Sequence, residues 1–281
     1  MIKNRILGAA AALIASIGFA AAQQSDPDVD LVEEALASDG WHGLRAVGGG
    51  IVALQNPYLG VENEYNYWGF PMVAFRRDRI TFEGKQVAYR LTPDESPLVL
   101  EALLDLRFQA YNDDDSPALR FMVPRKPTLE GGGKLTYEFG DLDLSTQVRY
   151  DLLGEHQGYD VVTRADYDWR VFRGTWFRPY AGVSLRSANM IDYYFGVNPS
   201  EALDGSEGVI VDGQPFVRPT YLPGKSVNPF VGAQLRQGFS RKLFMIAFVH
   251  HHFYSDEIKE SPIVANEGEL AAGLIFVRPF L

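Results

Sequence analysis

Polar and apolar residues alternate one by one along Asp141–Leu152, DLDLSTQVRYDL. Asp141, Asp143, Ser145, Gln147, Arg149 and Asp151 fall on one face of an extended chain. Leu142, Leu144, Thr146, Val148, Tyr150 and Leu152 fall on the other, because successive side chains of a strand point to opposite sides. The same period of two runs through Leu98–Ala110, where Leu98, Leu100, Ala102, Leu104, Leu106, Phe108 and Ala110 oppose Glu101, Asp105, Arg107 and Gln109. In Val161–Val171 an apolar set opposes Arg164, Asp166, Asp168 and Arg170. Phe177–Leu185, Lys134–Phe139 and Val231–Arg236 repeat the pattern, and Trp68–Phe75, Leu243–Tyr254 and Leu270–Leu281 carry the same β-branched and aromatic bias. Each segment reads as a strand with one oily face. Alternation alone does not decide whether that face meets a soluble core or lipid.

The connections separate the two. Tight turns are expected near Arg76–Arg79, Gly140–Asp141, Phe172–Thr175 and Gly238–Lys242, and longer polar loops at Gln55–Asn66, Tyr111–Thr128, Leu153–Gly158, Ser187–Lys225 and Ser255–Gly268. From Tyr111 onward long and short alternate. Transmembrane β-barrels have such unequal rims, with short periplasmic turns and long outer loops. A soluble barrel of about 8 strands has no reason for them. Eleven strand segments can be marked, whereas a barrel with both termini in the periplasm needs an even number. The apolar phase slips within Ile80–Leu91, from Ile80 and Phe82 to Val87, Tyr89 and Leu91 across Glu83-Gly84-Lys85. A tight turn there gives twelve strands, and a bulge gives ten. The expected architecture is an all-β, antiparallel, up-and-down transmembrane barrel of about twelve strands, with ten as the alternative.

The chain start and the charge balance agree with this. Lys3 and Arg5 precede the apolar run Ile6–Ala22, which ends in three alanines, so residues 1–22 are expected to be a secretory signal peptide. Residues 23–40, QQSDPDVDLVEEALASDG, read as an acidic periplasmic tail, and 41–281 as the barrel. Without the signal the chain holds 24 basic and 36 acidic residues, a net charge of −12, which argues against nucleic acid as a partner. The chain has no cysteine, which removes disulfides and thiolate metal sites. After the signal the longest apolar run is Leu243–Val249, far short of the roughly 20 residues a spanning helix needs. The oily faces are therefore expected to meet lipid in the outer membrane of a Gram-negative bacterium. Glu101, Asp105, Arg107, Lys134, Glu138, Asp143, Arg149, Asp166, Asp168 and Arg170 would then pair across a narrow lumen.

Candidate chemistry is sparse. His250 and His252 share one face of a strand, and with Asp256 they form a weak candidate metal set. They sit where a strand runs into an outer loop, a place suited to amphipathic rings at a membrane interface. Ser255 lies nearby, but no G-x-S-x-G elbow and no nucleophile–base–orienter set is evident, so neither an enzyme nor a cofactor is expected. Asn198-Pro199-Ser200-Glu201 has the form of a capping box, which predicts a short helix beginning at Pro199.

Three blocks resemble the MipA/OmpV family of outer-membrane proteins, also called MltA-interacting proteins. NPYLGVENEYNYWGFPMVAFRRDRITFEG (Asn56–Gly84) is similar to a Y-x-G segment followed by a Pro-containing strand and a basic turn. YYFGVNPSEA (Tyr193–Ala202) resembles the family's signature loop, through Tyr193, Tyr194, Gly196, Val197, Asn198, Pro199 and Ala202. SPIV (Ser261–Val264) resembles a third block. The resemblance implies a monomeric barrel, in contact with lipid and lipopolysaccharide. It would dock a lytic transglycosylase and a bifunctional peptidoglycan synthase from the periplasmic side. A diffusion pore or osmoregulated channel is the alternative it implies. The chain departs from the family by ending RPFL rather than on an aromatic residue. Pro279 cannot donate to a strand ladder, so a frayed final pairing is expected.

Overall fold

The computed structural model describes residues 45–108, 110–240 and 243–280, so the expected signal peptide and acidic tail lie outside the described residues. Alternating sequence becomes strand throughout. In chain order these are β1 (Arg45–Gln55), β2 (Tyr65–Arg77), β3 (Ile80–Glu83), β4 (Gln86–Arg90) and β5 (Leu98–Arg107). β6 (Thr128–Phe139), β7 (Leu142–Asp151), β8 (Tyr159–Tyr167), β9 (Trp169–Phe172) and β10 (Thr175–Arg186) follow. A small hairpin, β11 (Ile210–Val211) with β12 (Gln214–Pro215), lies in a loop before β13 (Ser226–Ser240), β14 (Leu243–Phe253) and β15 (Gly268–Phe280). Apart from that hairpin the strands form one antiparallel sheet. Pairing of β13 with β10 and of β15 with β1 closes it into a barrel. β8 and β9 are two parts of one wall strand, broken at Asp168, so the wall has twelve strands.

The faces fall as the alternation requires. In β5, Leu98, Leu100 and Leu104 are 39–45% exposed on the outside, while inward-facing Glu101 and Asp105 are 4% and 1% exposed. In β7, Leu144, Val148 and Tyr150 face out, and Gln147, Arg149 and Asp151 are buried. An outer belt of leucine, valine and aromatic side chains is the surface hydrocarbon requires, and the ladder satisfies the backbone over most of that wall. Among the described residues no helix is long and apolar enough to cross a membrane.

The phase slip at Ile80–Leu91 is a turn rather than a bulge. Gly84 takes a left-handed φ of +53°, and β3 pairs with β4 from Ile80↔Tyr89 to Glu83↔Gln86. The fraying expected at Pro279 does not occur, because β15 stays paired with β1 as far as Arg45↔Phe280. Pro279 lies opposite Ala46, whose hydrogen-bonding groups turn toward β2, so the seam with β1 needs no N–H at that position.

The long loops gather over one end of the barrel. Helix α1 (Ala188–Phe195), helix α2 (Asp256–Lys259) and a 3-10 turn at Pro117–Leu119 pack there with Tyr58, Tyr111, Met122 and Ile263 in a buried apolar cluster. This cluster caps the outer mouth. The short turns lie at the opposite end.

Candidate functional site

The lumen is built from strands whose polar faces point inward, and its charges form two balanced sets. In the first, the Arg149 guanidinium donates to Asp160 at 3.1 and 2.7 Å and to Asp105 at 2.9 Å. Arg107 donates to both oxygens of Glu130, at 2.7 and 3.0 Å, and to Asp160 at 3.2 Å. Lys85 adds an ion pair with Asp105 at 3.4 Å, and His156 Nε2 lies 3.0 Å from Glu130. Three permanent cations thus meet three carboxylates. The Arg149 and Asp160 side chains are 1% and 2% exposed. Asp151 closes the top of this set, accepting from the backbone N–H groups of Leu153, Gly154, His156 and Gln157 at 2.7–3.1 Å.

The second set lies nearer the short turns. Arg178 bonds Asp168 and lies 3.7 Å from Asp143, and Arg164 bonds Asp166 while stacking 3.8 Å from the centre of the Tyr180 ring. Arg236 is also buried here, on β13 beside β10. Again three arginines oppose three aspartates. Glu101 is buried between strands, opposite Lys134 on one side and Arg90 on the other.

The structure thus brings together Asp105, Arg107 and Arg149 in one set and Asp143, Asp166 and Asp168 in the other. Arg170 stands apart: it is on exposed β9, past the break at Asp168, with its guanidinium 5.7 Å from the Trp176 ring. Lys85, Glu130, Asp160, Arg164, Arg178 and Arg236 complete the sets. Alternation placed such residues on an inner face but did not say which would meet, because that depends on the stagger between neighbouring strands.

The rest of the lumen is different in kind. On the inner faces of β1, β2, β14 and β15 lie Val52, Met72, Ile246, Phe248 and Ile275, with Trp68 and Phe70 packed against them. The lumen therefore has a charged half and an apolar half.

In the cap, the signature loop is a structural hub. Tyr193 and Tyr194 lie on α1, which Ser187 caps by accepting from Met190 N–H at 3.4 Å. The short helix expected at Pro199 is absent: residues 199–201 make a single turn. Glu201 does reach back to Asn198 N–H, at 3.0 Å, as a capping box would. Its carboxylate is shared with Val123 N–H at 3.0 Å and Arg125 at 3.1 Å, and Leu203 then pairs with Arg218, which draws the chain out of a helical path. Burial alone would raise the Glu201 pKa, but the hydrogen bonds from Arg125, Asn198 and Val123 outweigh it and hold the group below the usual glutamate range. Arg218, fully buried, donates to the carbonyls of Glu201 and Arg120 at 2.6–2.9 Å. Gly196 and Val197 follow the helix, Val197 pairing with Tyr221, and Ala202 continues the turn.

His250 and His252 are buried side by side, ring centres 4.6 Å apart, with His250 Nδ1 3.1 Å from the Tyr180 hydroxyl. Asp256 does not join them. It is on the cap surface, paired with Lys259 at 2.8 Å. Beside the cap a cleft of about 590 Å³ separates the first loop from Asp113–Arg120, with Glu62, Asp113, Asp114 and Asp115 along it.

The chain is similar to known proteins. A family model described as MltA-interacting protein MipA matches residues 47–280. Outer membrane protein OmpV of Vibrio cholerae is 34% identical over 94 residues, covering 33% of this chain and 36% of the relative. Omp26La of Vibrio anguillarum is 33% identical over 93 residues, so the chain spans about a third of the length of these two relatives, 36% and 35%. MltA-interacting protein of Escherichia coli K12 is 23% identical over 239 residues, covering 83% of this chain and 90% of that protein. Among solved structures, the translocator domain of autotransporter NalP from Neisseria meningitidis aligns at a TM-score of 0.50 and 11% identity, over 97% of this chain and 98% of that one, a likeness of fold alone. The relatives and the barrel together place the chain in the outer membrane of a Gram-negative bacterium.

Proposed function

Since this chain belongs to the MltA-interacting protein MipA family, we propose that it is an outer-membrane scaffold that docks peptidoglycan-remodelling enzymes, a lytic transglycosylase and a murein synthase, on its periplasmic face. The observation that carries this reading is the closed lumen. Two charge sets, each neutral within itself, fill one half of the interior, and the loop cap covers the outer mouth. A barrel of about 12 strands lies between those that side chains fill and the 16–18-stranded porins with aqueous channels, so its contents decide. With the charged half of the lumen filled and the outer mouth capped, the periplasmic rim is the surface open to a protein partner. Arg77 and Arg79 on one turn and Arg170 and Arg173 near another are exposed there beside the exposed acids Asp78, Asp94, Glu95 and Asp141, a rim of mixed charge on which a protein partner can form ion pairs.

Photo-crosslinking groups introduced at Arg77 and Arg173 in intact cells test it. Capture of a lytic transglycosylase at either position supports docking, and charge reversal at Arg79 should reduce the yield. A large, stable, ion-selective conductance from the purified protein, with no periplasmic enzyme captured, would make a diffusion pore the better account.

A further inference from the structure

The barrel wall has a breach in its outer half. β2 pairs with β3 only over Ala74–Arg77, and Gly84 N–H reaches the Val73 carbonyl at 3.2 Å. Beyond that level, over residues 65–72, no described strand pairs with β2 on the side away from β1. The far margin is β5, whose last bond to the short β3–β4 hairpin runs from Leu106 N–H to the Lys85 carbonyl at 3.2 Å. The ladder fixes which groups face the breach. Asn56 N–H bonds the Glu64 carbonyl, so even-numbered residues of β2 serve β1. Tyr65, Tyr67, Gly69 and Pro71 therefore point their backbone groups into the opening. Pro71 brings no N–H, as befits a free edge.

Behind the breach lies the apolar half of the lumen. Cross-strand register lines up Trp68, Val52, Gly273, Phe248 and Gln234 as one row around the inner wall. Both ends of that row carry polar atoms without a partner: the Trp68 indole N–H, and the oxygen and nitrogen of the fully buried Gln234 amide. At the breach Tyr67 is 72% exposed toward lipid, and Val73 and Leu104, just below it beside the hairpin, are each 45% exposed. Hydrocarbon is what stands outside this opening, and the cap closes the route from above.

We propose that the breach between β2 and β5 is a lateral portal that admits an acyl chain of an outer-leaflet lipid into the apolar half of the lumen. The ester carbonyl accepts from the free N–H groups of Tyr67 or Gly69. The chain lies over Phe70, Met72 and Phe248, and an oxygen function along it, such as a hydroxyl, meets Trp68 at one end of the row or Gln234 at the other. This goes beyond the scaffold reading and stands without it.

The test uses the unmodified protein in bilayers containing a phospholipid with a diazirine near the end of one acyl chain, and maps the labelled residues by mass spectrometry. Inward-facing Phe70, Met72 and Phe248 should be labelled to an extent comparable with outward-facing Tyr67, Val73 and Leu104. Labelling confined to the outward residues overturns the portal. A diazirine fatty acid that labels the inward residues when the phospholipid does not would overturn the lipid as the source. An unlabelled lipid with a hydroxylated chain should suppress inward labelling more than its plain counterpart. Equal suppression overturns the pairing with Trp68 and Gln234.

Discussion

Replacing Leu144 or Val148 with arginine sets a charge against hydrocarbon, at a cost of about 2–4 kcal/mol near the midplane. Both side chains are exposed on the outer belt, at 46% and 44%. Gln147, between them in sequence, is 8% exposed and lies opposite Lys134 inside, so Gln147→Glu should be tolerated where Val148→Arg is not. Urea unfolding of the three variants in detergent or lipid measures the difference. Arg149→Ala should be costlier still, about 3–5 kcal/mol, because it leaves Asp105 and Asp160 without their shared cation. It should also raise conductance in planar bilayers, whereas Arg170→Ala, outside both sets, should change neither stability nor conductance. The inner face was legible in the sequence wherever polar and apolar residues alternate, as in β5 and β7. The partners were not, since Arg149 meets Asp160 through the register of β7 with β8, and Asp105 only across the intervening β6, on β5, and alternation sets neither register.

Among the elements, strands with mixed faces announced themselves and strands with two apolar faces did not. Leu243–Val249 in β14 is apolar on both sides because its inner face packs in the apolar half of the lumen, so its sequence shows no alternation. The β3–β4 turn was legible as a phase slip, although that the hairpin stops low on the wall could be seen only in three dimensions. The helix expected at Pro199 failed for a physical reason: the Glu201 carboxylate makes the capping contact to Asn198, but Leu203, two residues on, is drawn into a bridge with Arg218 and the chain leaves the helical path. That carboxylate titrates below the usual glutamate value, so its contribution to the cap is complete above about pH 4.3 and is lost as pH falls through the lowered folded value. Proteolysis of the outer loops should therefore stay slow at neutral and mildly acidic pH and rise only in stronger acid. Glu201→Gln should loosen the cap at neutral pH and abolish the acid step.

For the whole molecule, the closed ladder predicts a detergent-soluble, β-rich monomer that keeps its structure in SDS until heated, since among the described residues the ladder runs round the whole wall and leaves free edges at the breach and along short β9. A shift in gel mobility on heating checks this, and a chain soluble without detergent would contradict it. The β1–β15 seam has a consequence in time. It joins Arg45–Leu54 to Ala271–Phe280 across almost the full length of the described chain, whereas the other wall pairings join neighbours along the barrel strand order. Contacts between distant parts of a chain form late, because the loop-closure entropy must be met first. Sequential hairpins can therefore zip from β2 toward β14 while β1 waits for its second partner. A polypeptide halted before residue 268 would hold most of its ladder and still present two raw edges. Closure is thus a single late event, and an unfinished barrel stays exposed to proteases and to pairing with other chains until Gly268–Phe280 is in place against β1.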